Sequence, residues 1–316
     1  MREIGGYLEL DTYRLPMMHE KAIPLNCGRN CLAYLIRKKH IKKILLPKFL
    51  CASVADVCKR EGAEIIYYSI DRNFRPLVNS TDDWVYIVNY YGQLTNDYIK
   101  SLKRLFPNII VDNVQSYFQE PIEGIDTIYT CRKFFGVTDG AFLYTDSTED
   151  VLVVDESFER MNYLLGRFER TASSFYNEYL LEEEKICEWD VKKMSKLTDN
   201  LLRGIDYEMV KRKRNNNFLY LHDMLKKLNK LDLSTPDGAF MYPLYIDNGA
   251  EIRKRLQAIK IFIPTLWPDV FNLCEDSELE FDLAQNILPV PVDQRYTLED
   301  MEYMVGHIFR ELNHHI

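Results

Sequence analysis

Short apolar runs alternate with helical patterns from about residue 26 onward, and this alternation is the feature that most restricts the fold. The runs have the length of buried strands and lie at residues 43–46, 64–70, 84–88 and 109–111. Helical patterns lie between or before them, at residues 28–39, 53–60 and 98–106. Strands that alternate with helices of this length form mostly parallel sheets covered on both faces. We therefore predict an α/β fold whose ligands bind at the carboxyl ends of the strands.

The remaining sequence predicts a second, smaller unit. Residues 140–144 indicate one more strand of the first sheet, able to pair antiparallel after a short link, and residues 147–205 are charged with helical periodicity. From about residue 206 we predict a long helix followed by the elements at 239–246 (strand), 249–258 (helix), 261–263 (strand) and 297–312 (helix). The chain would thus have a large domain of residues 1–205 and a small C-terminal α+β domain of residues 206–316.

Composition excludes several classes of protein. The formal net charge of −8 disfavours nucleic acid and anionic membranes as partners. We find no stretch of 18 continuous apolar residues and no apolar core of a secretory signal near the start, which predicts a cytoplasmic protein. The seven cysteines contain no CxxC pair, which indicates reduced thiols and no metal site.

One acid and one lysine have a spacing with a specific chemical meaning. Asp112 ends the run at 109–111, and Lys133 follows it by 21 residues (133 − 112). In pyridoxal phosphate enzymes a lysine holds the cofactor aldehyde as a Schiff base, while an acid keeps the pyridine nitrogen protonated. Taken alone, Asp112 would more often cap the next segment, and Arg132-Lys133 would more often be a solvated loop. Gln115, three residues after Asp112, is a candidate neighbour of the ring.

A phosphate site is predicted at the start of the first helix. The backbone amides of Gly28, Arg29 and Asn30 lie at a helix amino end, where anions bind. An Asn/Gly turn alone would more often be a plain helix start. Thr130 supplies a hydroxyl three residues before Lys133 and could donate to the same phosphate.

Other strand ends offer contacts for a cofactor ring. The amide of Asn89 follows the strand at 84–88 and could donate to the phenolic oxygen of the cofactor. Tyr90 or Tyr91 could cover one face of the ring, and Phe49 and Cys51 could face the other. Aromatic residues at strand ends are more often part of a core.

Other catalytic classes lack support in the sequence. The six histidines show neither ligand spacing nor a pairing with a nucleophile, and His314 and His315 are predicted to be a frayed terminus. No GxGxxG follows a strand, which counts against a nicotinamide enzyme. A nucleotide-sugar glycosyltransferase with Asp112 on a divalent metal is a more distant alternative, because no clear Asp-x-Asp pair is present.

The ordered motifs resemble the DegT/DnrJ/EryC1/StrS sugar aminotransferases of the fold type I pyridoxal phosphate enzymes. The resemblance covers most of the chain and rests on residues 25–32, 46–51, 62–64, 68–71, 89–92, 112–115, 130–133 and 287–296. It implies a large domain with a mostly parallel sheet, a homodimer with active sites at the subunit interface, and pyridoxal 5'-phosphate as cofactor.

The resemblance also implies roles for individual residues. Lys133 would be the Schiff-base lysine and carry protons, Asp112 the partner of the pyridine nitrogen, and Gln115 a neighbour of the ring. The phosphate would be bound by Gly28, Arg29 and Thr130. The reaction would move an amino group from a donor such as glutamate to a keto sugar linked to a nucleotide.

The sequence departs from the family in its substrate segment. The Asn-Tyr-Arg segment that helps to build the family's substrate site is not recognisable between residues 150 and 200, and the segment after Lys133 has fewer glycines. A relative that binds the cofactor but has a regulatory or binding role is therefore a second hypothesis. For a donor carboxylate the candidates are Arg29, Arg170 and Arg295.

Overall fold

The structure is a computed structural model that describes residues 4–313. His314 and His315 lie outside the described residues. Among residues 4–313, no helix is both long enough and apolar enough to cross a membrane.

An eight-stranded sheet forms the larger part of the described chain. Its strands are β1 (Ile23–Leu25), β2 (Lys43–Pro47), β3 (Glu64–Ile70), β4 (Pro76–Leu77), β5 (Trp84–Val88), β6 (Ile109–Asp112), β7 (Asp126–Thr130) and β8 (Ala141–Tyr144). Their order in space is β1-β8-β7-β6-β5-β2-β3-β4. The central neighbours from β3 to β7 pair in parallel, whereas β8 pairs antiparallel with β7 and with β1, and β4 pairs antiparallel with β3. The predicted mostly parallel sheet is confirmed, including the antiparallel strand at 141–144.

Three helices lie between the strands of this sheet in the sequence: α1 (Gly28–Lys38), α2 (Ala52–Arg60) and α3 (Asn96–Leu102). All residues of α1 from 30 to 36 are buried, among them Cys31, Leu32, Leu35 and Ile36. The helix ends with the cations Arg37 and Lys38, which favour a helix carboxyl end. Thr95 begins α3 because its side chain accepts a hydrogen bond from the amide of Tyr98.

The second half of the described chain is mainly helical. It contains α4 (Asn162–Glu169), α5 (Tyr176–Lys185), α6 (Lys196–Leu202), α7 (Tyr207–Leu225), α8 (Gly249–Ala258), α9 (Val270–Leu273), α10 (Leu279–Asn286) and α11 (Leu298–Asn313). A separate antiparallel pair is formed by β9 (Met241–Tyr245) and β10 (Ile287–Pro291). The long helix after 206 and the final helix agree with the sequence. The domain boundary at 205/206 stays a prediction and would fall between α6 and α7.

Three strands of the larger sheet were not predicted, and one predicted strand of the C-terminal part is wrong. β1 and β4 are only three and two residues long, and β7 contains Asp126 and two threonines, so none of the three has the apolar run of a typical buried strand. In β7 the charge of Asp126 is matched by Lys39, with 2.7 Å between the carboxylate and Nζ. Residues 261–263 form no strand, because the amide of Ile261 is bonded to the end of α8 and the carbonyl of Ile263 accepts from the side chain of Gln257.

Register brings the ends of three central strands together. Val88 of β5 lies beside Asp112 of β6, and Asp112 lies beside Ile128 of β7. Thr130 ends β7 only two residues further on. Side chains that are distant in the sequence therefore meet at one edge of the sheet, where parallel α/β folds bind ligands.

His19 is a buried histidine inside an aromatic cluster beside β7 and β8. Its ring centroid lies 4.2 Å from that of Tyr129, Nε2 is 2.9 Å from the carbonyl oxygen of Tyr117, and Nδ1 is 3.2 Å from the hydroxyl of Tyr144. A carbonyl only accepts, so Nε2 carries the proton and Nδ1 accepts from the tyrosine. Burial lowers the pKa of His19 from 6.5 to about 4, although the hydrogen bond to Tyr117 opposes this shift.

This lowered pKa predicts a loss of stability in mild acid. The unfolded chain binds a proton on His19 below pH 6.5, whereas the folded chain does so only near pH 4, so the unfolding free energy falls as the pH drops through this window. Between pH 7 and 5 the contribution of His19 should fall by about 2 kcal/mol. Urea titrations of the wild type and of His19→Gln at both pH values measure this contribution as the difference between their pH dependences. Equal pH dependence in the two proteins would show that His19 is not the group responsible.

Candidate active site

A cavity of about 950 Å³ opens at the carboxyl ends of the strands. Its walls come from the ends of β5, β6 and β7, from the start of α1, from α4 and α5, and from positions in the C-terminal part such as Arg214, Trp267 and Gln294. This volume is at the upper end of the range for cofactor and ligand sites. The predicted location of the site at the strand ends thus coincides with a large cavity.

Asp112 lies in the wall of this cavity with both carboxylate oxygens bonded. Oδ2 accepts from the hydroxyl of Tyr86 at 2.7 Å, and Oδ1 accepts from the amide of Val114 at 2.9 Å. Burial raises the pKa of Asp112, while the charge of Lys133 and these two hydrogen bonds act in the opposite direction. The carboxylate is therefore oriented by two donors, and each oxygen retains acceptor capacity for a further donor.

Lys133 projects into the same cavity. Its side chain is accessible from the cavity although protein surrounds it, and Nζ lies 5.8 Å from the ring centroid of Phe240. Burial lowers the pKa of Lys133, and the negative charge of Asp112 partly restores it. A lowered pKa increases the fraction of neutral amine, which is the form that attacks a carbonyl. Asp112 and Lys133 are thus an interacting acid and amine in one cavity.

Three of the predicted phosphate contacts also line the cavity: Gly28, Arg29 and Thr130. The amides of Gly28 and Arg29 belong to the first turn of α1, where N–H groups have no acceptor within the helix. A Cβ atom on Gly28 would lie 3.9 Å from Cβ of Thr130, so the helix start and the end of β7 are close neighbours. The start of α1 and the end of β7 together form a site suited to an anion.

Asn30 is not brought into this site. Its side chain points away from the cavity and donates to Asn26 at 2.9 Å and to the carbonyl of Asp190 at 2.7 Å. Its backbone amide already donates to the carbonyl of Cys27. The predicted phosphate contact of Asn30 therefore has no free donor in this arrangement.

Gln115 and Cys51 line the cavity as the sequence suggested. The carbonyl oxygen of the Gln115 side chain accepts from the amide of Tyr91 at 2.8 Å, which leaves its NH₂ group to face the cavity. The sulfur of Cys51 lies 3.1 Å from the hydroxyl of Ser53 at the start of α2.

Asn89 and Tyr90 are not among the residues that line the cavity. The side chain of Asn89 is completely buried and ties loops together, donating to Asn113 and Gln119 and accepting from the amide of Leu94. Tyr90 packs in an aromatic core and donates its hydroxyl to the carbonyl of Phe49. The sequence located the end of β5 correctly, but the polar groups at this end form hydrogen bonds with the neighbouring loops.

The sequence missed several cavity residues. Tyr86 lies two residues before Val88, on the same face of β5, and strand alternation would have placed it beside the site. Arg132 adjoins Lys133, and its guanidinium is paired with Glu183 of α5. The helices α4 and α5, with the short turn between them, contribute Tyr163, Arg167, Phe168, Phe175, Tyr176 and Tyr179 to the wall. Nothing in the sequence indicates that this charged helical region covers the strand ends.

Comparisons with known proteins give a consistent answer for the fold. No family model and no curated protein sequence matches the chain. Solved structures do match. A DegT DnrJ EryC1 StrS aminotransferase from Brucella abortus has a TM-score of 0.63 and 14% identity, and the match covers 91% of this chain and 84% of that one. The PLP form of the sugar aminotransferase Spr1654, described as putative, from Streptococcus pneumoniae has a TM-score of 0.63 at 10% identity over 92% and 87% of the two chains. The aminotransferase TlmJ from Streptoalloteichus hindustanus has a TM-score of 0.63 at 15% identity over 94% and 87%.

This chain has the fold of the DegT/DnrJ/EryC1/StrS aminotransferases. The predicted fold class, that of the fold type I pyridoxal phosphate enzymes, is thereby confirmed. Within this aminotransferase fold, Asp112 and Lys133 line one cavity at the strand ends together with the start of α1.

Proposed function

We propose that the chain is a cytoplasmic pyridoxal phosphate-dependent aminotransferase that transfers an amino group from glutamate to a keto sugar carried on a nucleotide. The observation that carries the proposal is the electrostatic interaction of Asp112 with Lys133 inside one cavity of an aminotransferase fold. In pyridoxal phosphate enzymes an acid contacts the pyridine nitrogen of the cofactor and a lysine amine binds its aldehyde.

The residues of the cavity fit the cofactor in three respects. Asp112 is an oriented carboxylate for the pyridine nitrogen, and Lys133 is an amine of lowered pKa for the aldehyde. Gly28, Arg29 and Thr130 form an anion-binding turn for the phosphate. The volume of the cavity exceeds what the cofactor alone would fill, which leaves space for a substrate.

When bound, pyridoxal phosphate supplies an electron sink that makes a proton on the amino-bearing carbon of the substrate acidic. Lys133 Nζ, whose pKa is lowered by burial, would in its neutral form accept this proton and pass it on to the cofactor carbon, and would carry a proton in the opposite direction in the second half of the reaction. Asp112 is held in place by Tyr86 and the amide of Val114 and would accept from the protonated pyridine nitrogen, whose positive charge would favour the carboxylate form.

The acceptor site is proposed to lie under α4 and α5. Aromatic rings from Tyr163, Phe175 and Tyr179 line this part of the cavity, and such rings bind the apolar faces of sugars and bases. Arg167 contributes a guanidinium, the group best suited to a phosphate of a nucleotide.

For the donor carboxylate, Arg29 is the best of the three arginines considered. Arg170 does not line the cavity, and the charge of Arg295 is already matched by Asp293 at 2.7 Å. Arg29 forms no ion pair among the described residues, and its guanidinium donates to the sulfur of Cys187 at 3.5 Å. A single arginine would then serve near both the phosphate turn and the donor.

The protein is further proposed to act as a homodimer with each active site near the subunit interface. Supporting this, α4 and α5, which contribute to the cavity wall, carry large apolar side chains that are exposed, namely Leu165 (58%), Phe168 (91%) and Leu181 (56%). Exposed apolar side chains of this size are typical of association surfaces. Analytical ultracentrifugation of the full chain measures the oligomeric state.

The decisive test of the activity is a half-reaction with glutamate alone. Protein loaded with pyridoxal phosphate should convert one equivalent of glutamate to 2-oxoglutarate per active site, leaving the cofactor in its pyridoxamine form. Loaded protein mixed with glutarate, which has no amino group, is the control. Absence of any keto acid from glutamate and other common amino acids would contradict the proposal.

A second candidate, a cofactor-binding protein without transaminase activity, is favoured by one observation. Two helices, α4 and α5, occupy the stretch in which the family's Asn-Tyr-Arg segment is not recognisable. This candidate predicts that pyridoxal phosphate attaches to Lys133 and that its absorption spectrum stays unchanged with every amino donor.

A further inference from the structure

An ion pair inside the cavity joins α5 to the residue before Lys133. A terminal nitrogen of the Arg132 guanidinium donates to the carboxylate of Glu183, 51 residues further along the chain. Both residues line the cavity, and the side chain of Arg132 is only 15% exposed. The pair is therefore part of the site wall and not a surface contact.

Arg132 retains a donor that is not used. Its Nε atom is buried and has no hydrogen-bond partner among the described residues. Arg29 and Arg132 line the same cavity as Gly28 at the amino end of α1, and the positive charges of both arginines oppose the rise in pKa that burial causes at Cys27, the residue before α1. An anion on Arg132 would thus lie near the helix amides already described.

The charge of Glu183 also acts on a second cation, Lys133. This charge is one of the influences that raise the pKa of Lys133 against the dominant effect of burial. The carboxylate of Glu183 thus acts on both Arg132 and Lys133, the two neighbouring cations of this wall. A phosphate monoester bound at the start of α1 would compete for the same charges.

We propose that Glu183 holds Arg132 in competition with a phosphate monoester, so that binding of the ester releases α5 from the cavity wall. The identification of this ester with the cofactor phosphate rests on the proposed function. A phosphate offers three acceptor oxygens and up to two charges, so it can bind Arg132 and the amides of α1 together, which one carboxylate does not do. Once the phosphate is bound, its charge repels Glu183.

The attachment of α5 makes such a release physically reasonable. None of the residues of α5 is buried, and α4 buries Tyr163 alone. Segments with few buried apolar contacts open at low free energy. A charged hydrogen bond to Arg132 is therefore a large part of what holds α5 against the cavity.

The test compares two neighbouring substitutions, Glu183→Gln and Glu184→Gln. Both remove one negative charge from α5, but Glu184 is exposed and is not among the residues that line the cavity. With inorganic phosphate as the probe, calorimetry should show about tenfold tighter binding to Glu183→Gln than to the wild type, and wild-type affinity for Glu184→Gln. Hydrogen exchange of the α5 amides should speed up on phosphate binding in the wild type, and should be fast without phosphate in Glu183→Gln.

Two results would overturn the inference: unchanged phosphate affinity in Glu183→Gln, or α5 exchange that does not respond to phosphate in the wild type. The proposed function has its own readout in the covalent attachment of pyridoxal phosphate to Lys133. Attachment with no gain in Glu183→Gln would reject the competition and leave the aminotransferase proposal intact. Tighter phosphate binding in Glu183→Gln without attachment would do the reverse.

Discussion

Replacing Lys133 by alanine should lower the rate of the glutamate half-reaction by roughly 10³- to 10⁴-fold or more. The reason is that this one amine both anchors the proposed cofactor and carries the proton. Its loss removes the only lysine among the residues that line the cavity in the described chain. Formation of 2-oxoglutarate by loaded protein in a rapid-quench experiment measures the effect.

The matched control is Lys59→Ala, which removes an exposed lysine of α2. It should keep the wild-type rate. Equal rates for Lys133→Ala and the wild type would reject the assignment of Lys133, whereas equal losses in both variants would point to a general effect on folding.

Substituting Asp112 by asparagine should reduce the same rate by roughly 10²- to 10³-fold. Asparagine has nearly the same shape, so the cavity keeps its form, but the negative charge that stabilises a protonated pyridine nitrogen is lost. The carboxylate of Asp112 is buried, and burial raises its pKa. A raised pKa means that ionisation of this group does not stabilise the folded protein. We therefore expect the melting temperature to change little while the rate falls.

Tyr86→Phe separates the charge of Asp112 from its hydrogen bonding. This variant removes the 2.7 Å hydrogen bond to Oδ2 and keeps the carboxylate. Its rate should fall far less than that of Asp112→Asn. A wild-type rate in Asp112→Asn would contradict the role of the acid.

The arrangement of the larger sheet followed from the sequence because few solutions satisfy the alternating pattern. Apolar runs separated by single helices require parallel strands, and parallel strands bring their carboxyl ends to one edge. Asp112 and Lys133 were therefore expected to meet, and they do line one cavity. A solved structure with only 14% sequence identity shares this fold, although no family model matches the sequence.

Features that depend on individual polar groups were not readable from the sequence. β7 was missed because Asp126 and the two threonines of this strand interrupt the apolar pattern. The ion pair of Asp126 with Lys39 is visible only in the three-dimensional structure. Asn89 follows a strand, as a ligand-binding residue would, but its amide is used by the loops around it. The direction of a side chain at a strand end is set by such tertiary hydrogen bonds.

The cover over the cavity was equally hidden. Residues 147–205 were expected to be helical, which is correct for α4, α5 and α6 but not for residues 147–157 and 189–195. Periodicity also does not indicate where a helix packs. The ion pair of Glu183 with Arg132, which connects α5 to the cavity, joins residues on separate parts of the chain. Only the three-dimensional structure shows that this segment and Lys133 line the same cavity.

The most direct test of the central claim is to locate pyridoxal phosphate on the wild-type chain. The protein is mixed with pyridoxal phosphate, reduced with borohydride, digested and examined by mass spectrometry. We predict one stoichiometric modification, on the peptide that contains Lys133, and its prevention by excess inorganic phosphate. Modification spread over several surface lysines, or none at Lys133, would contradict the account.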